Sequence, residues 1–292
     1  MKISVITPTY NRAKTLGRLY ESIKKNINFG GKIQWLIMDD GSKDNTEQVV
    51  NGFIDENLFD IVYEKQKNQG KMKAINAIIS RADGDFIIEC DSDDFFTNNA
   101  FKAILEKCVL NDNIYAYAFL KYDQNECNIG NLFPNEGAET SMFDLYFKDE
   151  EKGEKALVFN AKIRKQFMYE LEENEKFVTE ARMYHKMDKN YYIKGFNIPI
   201  MICEYQKDGY TKNIKEIFKK NPQGFYKYFE EIFEMPFDGI TFIKRLYIIK
   251  HYILFSILAK KSHPIKNVKG RYNKFLTILL WIPGYIKTKC TF

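Results

Sequence analysis

An α/β fold around a largely parallel sheet is predicted for this 292-residue chain, and three observations predict it. Short β-branched apolar runs alternate with segments of helical period through the N-terminal third. The connections between them are short and rich in turn residues. Polar clusters follow three of the first four strand-like runs: Thr9-Tyr10-Asn11, Asp39-Asp40 and Asp91-Ser92-Asp93-Asp94. That pattern sets the polar chemistry beyond the carboxyl ends of the strands, where ligands collect in parallel sheets.

Taken in order, Ile3–Thr7 is an apolar strand that stops at Pro8. Leu16, Leu19, Ile23 and Ile27 recur at helical spacing, so Thr15–Ile27 reads as a helix. Ile33–Met38 is a second strand, closed by Asp39-Asp40-Gly41-Ser42, and Thr46–Phe53 a second helix. Phe59–Tyr63 makes a third strand. Lys71–Ser80, apolar at Met72, Ile75 and Ile79, is a helix, and Phe86–Cys90 a fourth strand that runs into acids. Further on, Ile114–Leu120 and Asn197–Glu204 read as strands, with one helix, Glu180–Met187, among polar loops. Beyond Lys212 the pattern is mainly helical, with Pro222, Pro236, Pro264 and Pro283 as expected breaks.

A chain that is 45% hydrophobic and 15% aromatic can bury a large core, which excludes a disordered protein and a disulfide-stapled miniprotein. Its formal charge of +5 is unevenly distributed. Residues 241–292 hold 11 Lys or Arg and no Asp or Glu, leaving 33 basic against 39 acidic residues before them. The body is acidic and the last segment strongly basic. The N-terminus, MKISVITPTYNR, reads as a strand rather than a signal peptide. Five cysteines without a C-x-x-C pair suggest reduced thiols in a cytosolic setting. The apolar stretches Tyr252–Ala259 and Phe275–Ile286 fall short of the roughly 20 residues of a spanning helix.

The acidic cluster at 91–94 admits two readings. Crowded carboxylates repel, and a hard divalent cation relieves that repulsion while bridging to phosphate oxygens. Alternatively the acids shape a turn and cap the next helix. Asp39-Asp40-Gly41-Ser42 likewise fits either a carboxylate that accepts from a base or ribose, or a turn with Ser42 or Asp44 capping the helix at Thr46. No G-x-G-x-x-G, P-loop or H-E-x-x-H motif occurs. His185 falls in a helical stretch and reads as structural.

Considered together, Ser4-Val-Ile-Thr-Pro-Thr-Tyr-Asn-Arg12, Trp35-Leu-Ile-Met-Asp-Asp-Gly-Ser-Lys-Asp-Asn-Thr46, Asn68-Gln-Gly70, Asn76-Ala77, Ala82-Asp-Gly-Asp85 and Asp91-Ser-Asp-Asp94 resemble the family 2 glycosyltransferases. The resemblance is dense over roughly the first 110 residues. It implies a single Rossmann-like domain of the GT-A type, a UDP-sugar donor, Mn²⁺ or Mg²⁺, and inversion at the anomeric carbon. It implies that Pro8, Thr9 and Tyr10 line the nucleotide pocket and that Asp40, with Asp39 beside it, reads the uracil N–H. Lys71 would approach the base or phosphate. Asp91-Ser92-Asp93 would be the D-x-D element, with Asp93 on the metal and diphosphate, Asp91 toward the ribose or sugar, and Asp94 behind them. The family's Glu-Asp pair is missing, and Thr179-Glu180 resembles a bacterial variant in which Glu180 is the catalytic base. Glu175 is the rival, and a plain helix N-terminal acid the alternative. The segment 204–213, including Gly209-Tyr210-Thr211-Lys212, resembles a downstream loop that contacts the diphosphate.

On this reading residues 1–240 are the catalytic domain, 1–110 its nucleotide half and 111–240 its acceptor half. Residues 241–292 are a basic amphipathic attachment, with Phe242, Leu246, Ile249, Ile253 and Ile257 as its apolar stripe. Such a segment suits an anionic membrane surface; packing on the domain and self-association into a homodimer are the alternatives, and nucleic acid is not expected. The expected activity is sugar transfer to a glycan or lipid-linked acceptor of bacterial capsular, exopolysaccharide or lipopolysaccharide synthesis, at the inner face of the membrane. The competing classes are a nucleotidyltransferase, which would carry a Gly-rich loop where Thr7–Arg12 has none, and a non-catalytic binding protein of the same fold.

Overall fold

A computed structural model describes residues 1–149, 153–204 and 213–291. The chain opens with β1 (Lys2–Thr9), α1 (Ala13–Lys25), β2 (Lys32–Asp39), α2 (Thr46–Asp55), β3 (Asp60–Lys65), α3 (Lys71–Ile78) and β4 (Phe86–Glu89). It continues through β5 (Phe95–Phe96), α4 (Ala100–Lys107), β6 (Ile114–Tyr122), β7 (Glu139–Thr140), α5 (Met142–Phe147), β8 (Lys155–Asn160) and α6 (Ala161–Arg164). Then come α7 (Glu180–Met187), β9 (Tyr192–Ile202), α8 (Ile214–Lys220), α9 (Pro222–Ile232), α10 (Phe242–Leu258) and α11 (Arg271–Thr291).

Two units divide these elements. The first comprises residues 1–141, 151–169 and 190–207 and holds the whole sheet, in the order β3-β2-β1-β4-β8-β6-β9-β5 with β7 on β9. β3, β2, β1 and β4 are mutually parallel. The register sets Thr9 beside Asp39 and Ile6 beside Glu89, so these strands all end at one edge. Both faces are covered, which is why the strands are continuous apolar runs rather than alternating ones. Trp35 is fully buried against Tyr20 and Phe53, and its indole N–H donates to the Thr7 hydroxyl at 2.9 Å.

Two features of this sheet depart from the sequence reading. β8 is an antiparallel strand between β4 and β6, inside a stretch expected to be polar loop. β9 starts at Tyr192 rather than Asn197 and pairs with β6 through register shifts.

The second unit comprises residues 142–150, 170–189 and 208–292 and is helical. Aromatic rings fill its core: Phe225 stacks on Phe255 with centroids 4.8 Å apart, and Phe229 and Tyr252 are buried beside them. Residues 241–291 share this core, where Ile249 and Ile253 are fully buried. Part of the stripe expected to face outward, Phe242-Leu246-Ile249-Ile253-Ile257, is therefore packing surface. Pro222 opens α9, as its fixed φ favours, whereas Pro283 sits inside α11 without ending it. Among the described residues no helix is long and apolar enough to cross a membrane.

Candidate functional site

The carboxyl edge of β1, β2 and β4 is assembled by backbone and side chains that cross-link the loops following each strand. The amide of Asp40 donates to the Thr9 carbonyl at 2.8 Å. Asn11, in the left-handed region at φ 53°, receives an anchor from the next loop: its amide donates to Ser42 Oγ, and its own Oδ1 accepts from the Lys43 amide, both at 2.8 Å. Asp44 accepts from the amide and hydroxyl of Thr46 and from the amide of Ala13, bracing the turn one residue before Asn45, which is the N-cap of α2.

Asp39 and Asp40 are both buried but differ in what they hold. Asp39 accepts from the Ser42 amide at 2.7 Å and from the Tyr63 hydroxyl at 2.6 Å, fixing the turn. Asp40 Oδ1 accepts from the Gln66 side chain and the Gln69 amide, and Oδ2 from the Gly70 amide at 2.7 Å. A carboxylate has about four acceptor positions, so among the described residues Asp40 retains one, on Oδ2. Gly41 makes this close approach feasible: its φ is +85°, and a Cβ there would lie 3.0 Å from the Asn68 amide. Thr9 Oγ1 is buried with no hydrogen-bond partner among the described residues. Such an atom is the kind of group a polar ligand satisfies. Pro8 is buried beside it and Tyr10 is exposed.

After β4 the chain turns through Asp91-Ser92-Asp93-Asp94, with the Asp94 amide donating to the Asp91 carbonyl at 3.0 Å. It then enters β5, not a helix, so these acids do not cap one. Lys71, the first residue of α3, reaches both oxygens of Asp91 at 2.8 and 2.9 Å. Burial pushes the Asp91 pKa up, but Lys71, with Lys121 and Arg12, outweighs it, and the net shift is below the usual carboxylate value. Asp93 is pushed the other way, up to about 6, by burial and by the charges of Asp91 and Asp94. Asp94 is buried and held from behind: Cys203 Sγ donates to Oδ2 at 3.1 Å, and Lys121 lies 3.5 Å away. The buried Ser92 completes the turn.

Of these acids, Asp93 is the one whose carboxylate is raised in pKa rather than ion-paired among the described residues. Its crowded carboxylate would gain most from a divalent cation, whereas Asp91 is already neutralised by Lys71. Among the described residues no three His, Cys, Asp or Glu side chains form a ready metal cluster. A hard cation held by Asp93 beside Asp91 fits this donor set only if ligand oxygens and water complete the shell, as is usual for Mg²⁺-type ions.

Sequence reading missed the residues that hold the edge from outside. Arg18 donates to the Asp93 carbonyl at 3.1 Å, pairs with Glu204, and lies over the Phe95 ring at 4.6 Å. Glu89, the last residue of β4, is paired with fully buried Arg164 at 2.6 Å and accepts from the Tyr169 hydroxyl at 2.6 Å. Asn76 then exchanges two hydrogen bonds with the Tyr169 backbone. Asn76, one of the motif residues, was the one member of this network that the sequence had marked.

In the second unit, Glu180 is the first residue of α7, half-buried, after Thr179 in extended conformation. Glu175 has a different task. Its Oε1 accepts from the Gln223 amide at 2.7 Å and its Oε2 from the Gly224 amide at 2.8 Å, which caps the start of α9. Burial raises its pKa despite those two donors. Arg182 joins α7 to α9 through Glu231 at 2.7 and 3.0 Å. His185 is buried among Phe143, Phe147 and Tyr228, and neither ring nitrogen finds a partner among the described residues. The loop expected to touch a diphosphate, through Gly209-Tyr210-Thr211-Lys212, lies outside the described residues.

One edge of this mostly parallel sheet gathers the three-acid turn, the Asp40 carboxylate and the buried Thr9 hydroxyl, and the fold is that of the GT-A class. The match to solved structures agrees. Staphylococcus aureus TarS 1-349 in complex with UDP-GlcNAc superposes with a TM-score of 0.64 at 17% identity, covering 99% of this chain and 90% of that one. The Pyrobaculum calidifontis mannosyltransferase PcManGT in complex with GDP-Man and Mn²⁺ gives 0.58 at 13% identity, covering 98% and 86%. Residues 4–155 match the family model described as Glycosyl transferase family 2, and the chain belongs to that family. A Mycoplasma genitalium protein named only as an uncharacterized glycosyltransferase is 38% identical over 100 residues, 33% of this chain and 34% of that protein. Glycosyltransferase GlyG of Streptococcus pneumoniae is 30% identical over 128 residues, 43% of this chain and 42% of GlyG. The chain therefore spans well under two thirds of these relatives' lengths.

Proposed function

We propose that this chain is an inverting, metal-assisted glycosyltransferase that moves a sugar from a UDP-sugar to a hydroxyl of a glycan or lipid-linked acceptor. The observation that carries this reading is the Asp93 carboxylate, crowded by Asp91 and Asp94 and raised to about 6, at the same strand edge as the orphaned Thr9 hydroxyl. The UDP-GlcNAc, UDP and GDP-Man named in the complexes of its structural neighbours support a nucleotide-sugar donor.

In this mechanism Asp40 accepts from the base through its open Oδ2 position, and Thr9 and Tyr10 flank the nucleoside. Asp93, with Asp91 beside it, would hold Mn²⁺ or Mg²⁺. The chemistry such an ion supplies when bound is neutralisation of charge on the departing diphosphate. Lys71 keeps Asp91 ionised and oriented. Glu180 takes the proton from the acceptor hydroxyl as that oxygen attacks the anomeric carbon, while the bond to the nucleoside diphosphate breaks. Glu175, with both oxygens committed to α9, is a poor rival for that role. Residues 1–240 do the chemistry, and residues 241–292 attach the enzyme to the inner face of a membrane carrying the acceptor in surface-polysaccharide synthesis.

A panel of UDP-sugars with Mn²⁺ tests the proposal, scored by donor hydrolysis and by protection from thermal unfolding. One UDP-sugar should protect and turn over. Protection by none of them, with or without Mn²⁺, would remove the reading.

A further inference from the structure

α11 is built inside out for a helix that meets water. Asn273, Thr277 and Thr288 are buried, and the two threonine hydroxyls are satisfied within the helix, on the Asn273 and Gly284 carbonyls at 2.8 and 2.9 Å. Gly284 permits close approach to α10, since a Cβ there would lie 2.8 Å from Ile253 Cγ2. Leu276 shares this inward side. The opposite side is apolar and open. Phe275, Leu279, Ile282 and Ile286 recur at spacings of four and three, Ile278 flanks them, and Ile282 is 71% exposed and Leu279 62%. Isolated exposed apolar residues are ordinary, but a continuous helix face of them marks a docking surface.

The charges around that face say what covers it. Arg271, Lys274, Lys287 and Lys289 are exposed along α11, and no Asp or Glu occurs from Thr241 to Phe292. On the neighbouring helix, the Lys250 ammonium is close enough to Lys287 that its pKa is depressed, chiefly by that like charge. Two ammonium groups held together with an apolar ridge beside them suit phosphate headgroups above acyl chains. A second copy of this chain would bring the same cations onto one another across a two-fold axis.

We infer that the outward face of α11, Phe275-Ile278-Leu279-Ile282-Ile286 with its flanking lysines, lies in the interface of an anionic lipid bilayer. This deepens the attachment reading of residues 241–292 and moves it from the partly buried stripe on α10 to α11. It depends on no step of sugar transfer.

The test is co-sedimentation of the full chain, without nucleotide, with phosphatidylcholine vesicles and with vesicles containing about a third phosphatidylglycerol. The wild-type chain should bind the anionic vesicles and lose them at high salt. L279E/I282E, altered only at exposed side chains, should keep its melting temperature and bind at least about tenfold less. K274E/K287E should lose about fivefold or more per charge, on anionic vesicles only. Absence of wild-type binding, or equal binding by L279E/I282E, would overturn the inference. So would a wild-type dimer in light scattering that L279E/I282E converts to monomer, since a second copy would then own the face. Donor binding is measured separately, so its failure is a different result.

Discussion

Glu175 and Glu180 lie five positions apart, and their environments predict opposite outcomes on neutralisation. In the Glu175→Gln variant the side chain keeps one acceptor and gains a donor, so one of the two α9 amides it now serves, of Gln223 or Gly224, loses its partner. A buried unsatisfied amide costs about 1–3 kcal/mol, and loss of the negative charge at the helix start adds about 0.3–1 kcal/mol. The expected loss is about 2–3 kcal/mol, or a fall in melting temperature of roughly 4–12 °C for a chain of this size. Turnover per folded molecule, measured well below that temperature, should stay near wild type. Glu180→Gln should do the reverse: a stability loss no larger than the about 0.3–1 kcal/mol of a charge removed from a helix start, intact donor binding and transfer lowered by about two to four orders of magnitude. The assays are scanning calorimetry and donor-coupled transfer on the same preparations. An E175Q protein that melts normally but does not turn over would refute both the cap and the choice of Glu180.

Thr9→Val should leave stability unchanged or slightly raised, because it removes a buried hydroxyl without a partner, yet weaken UDP binding by about five- to tenfold in calorimetry. Arg164→Met strands Glu89 and should destabilise by about 3–5 kcal/mol in denaturant titration, with much of it restored in E89M/R164M. His185 gives a pH prediction. Burial depresses its folded pKa from 6.5 to about 3, so between those values the unfolded chain takes up a proton that the folded chain does not. Stability present above about pH 6.5 is therefore lost as the pH falls toward 3, on the order of 5 kcal/mol in total. His185→Met should flatten that acid slope while changing neutral-pH stability by no more than about 1 kcal/mol.

The N-terminal half of the sheet was legible because its signals are local. Continuous β-branched runs, helical spacing and Asp-Gly or Pro punctuation occur within single elements, and the strands they mark end together at the edge that carries Thr9, Asp40 and Asp91. β8 was not legible, because Lys155–Asn160 is a strand only by virtue of its neighbours β4 and β6. The same distinction runs through the site. Asp91 and Asp93 lie two positions apart and are legible as a pair, but the ion pair to Lys71 spans 20 residues and that from Arg164 to Glu89 spans 75. Nothing local announces that one acid of the pair is neutralised and the other is not. In the basic tail, periodicity alone could not tell a core-facing stripe from a solvent-facing one: Ile253 is buried and Ile282 is open, although both repeat at helical spacing.

The central proposal is that Asp93 holds a divalent cation against a nucleoside diphosphate, and titration of UDP into wild-type and Asp93→Asn protein, each with and without Mn²⁺, tests it most directly. Wild-type binding should depend on Mn²⁺ and D93N should bind UDP equally weakly in both conditions. Mn²⁺-dependent binding of the same strength in D93N would contradict the assignment.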